Sequence, residues 1–160
     1  MKMSPIDPDA ETTTLIEHIV ENYHAAHRRE MPELVALARM VEDLHGTDPA
    51  APHGLADALA RMTEALEAHM QHEEEQLFPA LADGRTEAIK EPIAGIRDDH
   101  HRHERTLARI AAMTHGFRLP PDACGPWKRL YAGTRKLVED LDEHFYLESE
   151  VLFRRFESGA

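Results

Sequence analysis

Sulfur ligands are nearly absent from this chain, because its 160 residues include one cysteine, Cys124. A single cysteine can neither close a disulfide within the chain nor build a cluster of thiolate metal ligands. Any metal site here must therefore use histidine and carboxylate side chains. The low cysteine content also suits a reducing compartment.

Long apolar runs and positive charge are scarce as well. No stretch approaches the roughly 18 apolar residues of a membrane-spanning helix, and the N-terminal MKMSPIDPDAETTT lacks the apolar segment of a signal peptide. The 18 Lys and Arg residues are outnumbered by 30 Asp and Glu residues, which gives a net charge of −12. We therefore expect a cytoplasmic protein that binds neither nucleic acid nor a membrane.

Histidine, by contrast, is abundant, with 12 residues in a chain long enough for one domain with a full core. The apolar residues favour Leu, Ala and Met, which are good helix formers, and glycine is infrequent. Because histidine is the commonest transition-metal ligand, this composition indicates a helical metal-binding protein.

One motif occurs twice, as HMQHEEEQLFP and again as HFYLESEVLFR. The two copies are 75 residues apart, so that His69 corresponds to His144 and Glu73 to Glu148. Residues at i and i+4 project from the same face of a helix. Each copy therefore offers an imidazole and a carboxylate to one point, as a metal site requires.

The other half of the chain shows nearly the same period. His24, in NYHAAHR, and His100, in DHHRHER, are 76 residues apart. The order along the chain is therefore a histidine followed by a His-x-x-x-Glu pair, and this two-helix unit is used twice. Two such units packed antiparallel can enclose a site that one unit cannot.

We predict an all-α, up-down-up-down four-helix bundle that occupies residues 12–157 and follows a flexible leader, residues 1–11. Apolar residues recur at helical spacing throughout the bundle. The predicted helices span about 15–45, 55–81, 92–115 and, after a cap at Asp122, up to about 156. Pro32 should kink or restart the first helix. His27 and His103, one turn beyond His24 and His100, are expected to be solvated.

Four imidazoles and two carboxylates exceed the four ligands that zinc prefers. They suit two ions bridged by both carboxylates, with an oxo or hydroxo bridge and an exchangeable position. A nitrogen and oxygen ligand set of this kind favours iron, and manganese is the alternative. The Glu-x-x-His pairs of ferritin-like bundles are confined here to the first helical region.

The ordered set resembles the hemerythrin (HHE cation-binding) superfamily of di-iron four-helix bundles, and within it the RIC group of iron–sulfur cluster repair proteins. Four segments carry the resemblance: YHAAHRREMPELVALARMVEDLH, HMQHEEEQLFP, LPPDACGPWKRLYAG and EHFYLESEVLF. Carried over position by position, the resemblance implies the metal ligands that the repeat also selects: His24, His69, Glu73, His100, His144 and Glu148.

The resemblance further implies a non-haem di-iron protein of the nitrosative or oxidative stress response. Such a protein binds or reduces NO, or supports iron–sulfur cluster repair with an iron–sulfur protein as partner. The alternatives are an O2 or NO carrier or sensor without turnover, and an iron store or donor. The chain departs from the group in two ways. It has no room for the small Cys-Cys domain with which full-length members begin, and His101 and Arg102 follow His100 where the group has an acidic residue.

Overall fold

Four long helices form a bundle in the computed structural model, which describes residues 5–157. Helix α1 consists of Thr12–His18, Ile19–His24 and Ala25–Leu44; α2 of Leu55–His72, Glu73–Leu77 and Phe78–Ala82; α3 of Lys90–Met113; and α4 of Gly125–Tyr146 and Leu147–Leu152. A short 3-10 turn, Thr86–Ala88, precedes α3, and a short helix α5, Arg154–Glu157, follows α4. Within residues 5–157 there is no β-strand, so the all-α prediction is confirmed.

Neighbouring helices run antiparallel, as the order of their cross-contacts shows. Along α1, Arg28 pairs with Glu67 of α2, whereas the later Arg39 pairs with the earlier Asp57. The same reversal relates α1 to α4, through Tyr23 with Glu143 and Glu30 with Lys136. The up-down-up-down topology predicted from the sequence is therefore confirmed.

The apolar core has two parts with polar residues between them. The larger part fills the end of the bundle where α1 ends and α2 begins, and it contains Trp127 and Leu59. The smaller part fills the other end and contains Leu15 and Phe153. Histidine and glutamate side chains from all four helices occupy the layer between these two cores.

Pro32 does not restart α1, because it lies inside the continuous helix Ala25–Leu44. A proline in a helix interior costs about 3 kcal/mol. Its neighbours Met31 and Leu34 are buried in the larger core, and we infer that this packing outweighs the lost hydrogen bond. The close approach of α4 is visible at Gly133, where an added Cβ would lie 2.6 Å from Leu34 Cδ2.

Three of the four helices contain a wider π-helical segment: Ile19–His24, Glu73–Leu77 and Leu147–Leu152. Such segments are rare and often occur at functional sites, because they change the direction in which side chains point. Here they include His24, Glu73 and Glu148, whereas α3 is regular around His100.

The remaining segments differ little from expectation. Helix α4 begins at Gly125 after Cys124 rather than after a cap at Asp122, with Pro126 in its first turn. Of the predicted leader, residues 1–4 lie outside the described residues, and residues 5–11 precede α1 without forming a helix. Arg155 donates a hydrogen bond to the Pro8 carbonyl. Within residues 5–157, no helix is both long and apolar enough to cross a membrane.

Candidate metal centre

The structure brings all six predicted ligands together in the layer between the two apolar cores. Each helix contributes at least one of them, and none is more than 3% exposed. They are His24 of α1, His69 and Glu73 of α2, His100 of α3, and His144 and Glu148 of α4.

These side chains form two overlapping groups of potential metal ligands. One group contains His24 and His144, the other contains His69 and His100, and both contain Glu73 and Glu148. In each group the ligand atoms lie within 4.8 Å of one another. The histidines of α1 and α4 therefore face one position and those of α2 and α3 face a second, with the carboxylates between them. This pairing could not be assigned from the sequence.

Several buried polar atoms of the centre lack a hydrogen-bond partner among the described residues. They are Nε2 of His24, Nε2 of His69 and both carboxylate oxygens of Glu73. A buried polar group without a partner is costly, and such groups are rare in folded proteins. Cations would satisfy all four atoms, so the residues present fit a metal centre.

The electrostatics of the layer also favour cations. Burial, together with the negative charge of Glu148, raises the pKa of Glu73. Burial alone would lower the pKa of His69, but the carboxylates of Glu73 and Glu148 outweigh it and raise that pKa to about 10. Two carboxylates thus share one closed space, where positive charge relieves their repulsion.

Each of the four histidines is oriented by a different partner. Its Nε2 faces the carboxylates, at distances of 3.3 Å to Glu73 or 2.8 Å to Glu148. Its Nδ1 meets a side chain outside the layer: Glu74 for His24 at 2.6 Å, Asp99 for His69 at 3.2 Å, Ser149 for His100 at 3.0 Å and His27 for His144 at 3.1 Å. Hydrogen bonds of this kind fix the tautomer and the ring orientation of metal-binding histidines.

The two acidic partners are themselves held by arginines. Arg28 donates to Glu74 over 2.8 Å, and Arg102 pairs with Asp99. The guanidinium groups keep these carboxylates charged and in place, so that they can accept the Nδ1 proton of the neighbouring imidazole.

The expectation that His27 and His103 are solvated is wrong, since they are 1% and 6% exposed. Burial, together with the adjacent His144, lowers the pKa of His27 to about 2. His103 packs edge-on against His69, with ring centroids 5.5 Å apart. Their position three residues after a ligand could have revealed this burial, because i and i+3 share a helix face.

Aromatic rings line the outside of the imidazole layer. Phe145 stacks on His100 with ring centroids 4.2 Å apart, and Phe78 stacks on His24 at 5.9 Å. Tyr23 stacks on His144 and donates a hydrogen bond to Glu143. The centre therefore lies in an enclosed and largely apolar surrounding.

A four-helix bundle that encloses a histidine and carboxylate centre belongs to the class of cation-binding helical bundles. The hemerythrin HHE cation binding domain matches residues 15–156, and the chain belongs to this family. The family resemblance seen in the sequence is therefore confirmed.

Curated relatives share most of their length with this chain. It is 37% identical over 158 residues to the iron-sulfur cluster repair protein YtfE of Escherichia coli O157:H7, an alignment that covers 97% of this chain and 72% of the relative. Proteins of the same name from Escherichia fergusonii and Escherichia coli O127:H6 match with the same identity and coverage.

Proposed function

We propose that this chain is a non-haem di-iron protein of the nitrosative and oxidative stress response, which binds NO and supports the repair of iron–sulfur clusters. The observation that carries the proposal is the sharing of Glu73 and Glu148 by two histidine pairs inside a hemerythrin-family bundle. The relatives that are named iron-sulfur cluster repair proteins support its biological part.

The proposed ligands are those predicted from the sequence: His24, His69, Glu73, His100, His144 and Glu148. Each group offers two imidazoles and two carboxylates, a nitrogen and oxygen set that suits iron and, as the alternative, manganese. Two iron ions bound there would supply reversible binding of diatomic gases and one-electron redox chemistry. The oxo or hydroxo bridge predicted from the sequence is part of this proposal.

The protein itself contributes position, charge and exclusion of water. Glu73 and Glu148 supply the negative charge that holds cations in the buried layer. The four Nδ1 partners hold the imidazoles in register, so that the centre is organised before a gas molecule arrives. Phe78 and Phe145 cover the imidazoles and keep bulk water from them.

The partner and the location are further parts of the proposal. The printed name of the relatives concerns iron–sulfur clusters, which supports a damaged iron–sulfur protein as the partner. The net charge of −12 argues against nucleic acid and anionic membranes as partners. A cytoplasmic location accords with this partner, with NO or O2 as the small ligand.

A direct test adds NO anaerobically to the reduced, iron-loaded protein and follows nitrosyl absorption and N2O. The same protein is then mixed with an iron–sulfur enzyme inactivated by NO, and the recovery of cluster absorption is measured. We expect nitrosyl formation and accelerated recovery, both lost in Glu148→Ala and both kept in Glu150→Ala, which changes an exposed carboxylate. Unchanged gas on release and no recovery would instead identify a carrier or sensor.

His27 provides a test of how the centre is positioned. In His27→Leu the Nδ1 of His144 loses its acceptor, so the metal at the His24 and His144 position should bind roughly 10- to 100-fold more weakly. Metal titration of the apo protein against a competing chelator measures this loss. His27→Gln, which retains an acceptor, should restore much of the affinity.

The matched control is His101→Leu, which removes an exposed histidine of α3. It should leave both metal affinities unchanged. Equal weakening of both positions in His27→Leu would show that His27 supports the whole bundle rather than His144.

A further inference from the structure

A cleft of about 660 Å³ lies between α2 and α3, and the mechanism proposed above does not use it. It begins near Gly54 and Met113 and ends at His69, His72 and Asp99. His69 belongs to the metal centre, so the inner end of the cleft meets the buried layer. The outer part is a surface groove between the two helices.

The cleft exists because α2 presents small side chains to it. Ala58, Ala65 and Ala68 line one wall and cannot fill the space opposite α3. At the inner end, the imidazoles of His69 and His100 stand between the two helices, with ring centroids 5.2 Å apart. The helices cannot close over the alanines while these rings separate them.

The charge of the cleft is opposite to that of the protein as a whole. Arg61, Arg102 and Arg109 line it, in a chain with a net charge of −12. Its two acidic residues are already paired, Asp99 with Arg102 and Asp57 with Arg39.

The other two guanidinium groups have no such pairing. Neither Arg61 nor Arg109 has a carboxylate within ion-pairing distance among residues 5–157; Arg109 donates only to Thr106 Oγ1, over 3.3 Å. These two groups therefore give the cleft an uncompensated positive charge, which selects anions.

The size of the cleft indicates more than a diatomic gas. Its volume falls among the roughly 300–1,000 Å³ pockets that hold small organic molecules. Arg61 and His69 are about 12 Å apart along α2 by the helix rise. A ligand that spans this distance is elongated, about as long as three extended residues.

We propose that this cleft binds a small organic anion with at least two carboxylates, which Arg61 and Arg109 hold while its other end lies beside His69 and His103. Two sources share this chemistry, namely an anionic thiol tripeptide such as glutathione and a polycarboxylate metal chelator. Either would place a small anion next to the metal centre without crossing the apolar cores. The site goes beyond the gas chemistry proposed above and does not depend on it.

Titration calorimetry on the iron-loaded full chain tests the proposal with two probes. S-methylglutathione represents the tripeptide without its reactive thiol, and tricarballylate represents the polycarboxylate without the hydroxyl that strengthens chelation. We expect at least one of them to bind, and the stronger of the two identifies the source. Each of Arg61→Ala and Arg109→Ala should weaken that binding roughly five- to tenfold, because a charge-assisted hydrogen bond is lost.

Arg105→Ala is the matched control, since Arg105 is an exposed arginine of α3 that does not line the cleft. It should leave binding unchanged. A second variant, Ala65→Phe, fills the cleft without removing charge and should abolish binding, whereas Ala94→Phe on the exposed part of α3 should not. Binding of neither probe, or binding that survives Ala65→Phe and both arginine substitutions, would overturn the proposal.

Discussion

Glu73→Ala and Glu148→Ala should each remove both metal ions, whereas His24→Ala or His69→Ala should remove one. The reason is the arrangement of the two groups, in which each carboxylate belongs to both positions and each histidine to one. Elemental analysis of purified variants, expressed with ample iron, measures the difference directly. The loss of NO-induced absorption should follow the loss of metal.

Exposed neighbours of the two carboxylates serve as controls. Glu75→Ala and Glu150→Ala change residues of the same helices and should retain full metal content. Circular dichroism establishes that the variants remain helical. If Glu73→Ala loses no more metal than His24→Ala, the carboxylates do not bridge two ions and the proposed centre is wrong.

The sequence predicted the fold and the inward-facing residues well because both depend on helical spacing. The pairs His69/Glu73 and His144/Glu148 lie one turn apart on one face, whatever surrounds them. The near-constant separation of His24 from His100 then indicated that the unit is repeated. A pattern of this kind predicts which residues face the interior, and the structure places them there.

The repeat extends to one pair of hydrogen-bond partners that the sequence did not reveal. Glu74 and Ser149 each follow a shared carboxylate and are 75 residues apart. Glu74 contacts His24 and Ser149 contacts His100, so the same relation is present in both halves. The residue types differ, which is why no motif marked them.

The other pair of partners breaks the repeat. His27 contacts Nδ1 of His144, but its counterpart His103 makes only a ring contact with His69, and Asp99 takes the Nδ1 position instead. Which neighbour reaches an imidazole depends on the spacing and rotation of packed helices. Those quantities depend on the whole core and are not encoded in the spacing along one helix.

Pro32 and the π-helical segments were missed for a related reason. Local propensity opposes a proline inside a helix, but the burial of Met31 and Leu34 favours continuing α1. The wider turns at Glu73 and Glu148 place both carboxylates within reach of two histidine pairs. In each case tertiary packing determines the local backbone.

Glu73→Gln should have opposite effects on the metal-free and metal-loaded protein. In the metal-free state Glu73 is fully buried, its oxygens have no partner among the described residues, and burial with the charge of Glu148 raises its pKa. A neutral amide of the same shape removes this cost, so the melting temperature of the apo protein should rise by several degrees, since about 1–2 kcal/mol is at stake.

In the metal-loaded state the same substitution removes a ligand of both ions and should lower the melting temperature. Metal bound at about a thousand times its dissociation constant contributes roughly 4 kcal/mol, or about 10 °C for a chain of this size. Chelation of the unsubstituted protein should therefore cost about as much. Thermal unfolding followed by circular dichroism, with and without iron, measures all four states. Glu75→Gln, at an exposed position of the same helix, should change neither melting temperature. A shift of the same sign in both states, or an unchanged melting temperature after verified metal removal, would show that Glu73 is not held in place by metal.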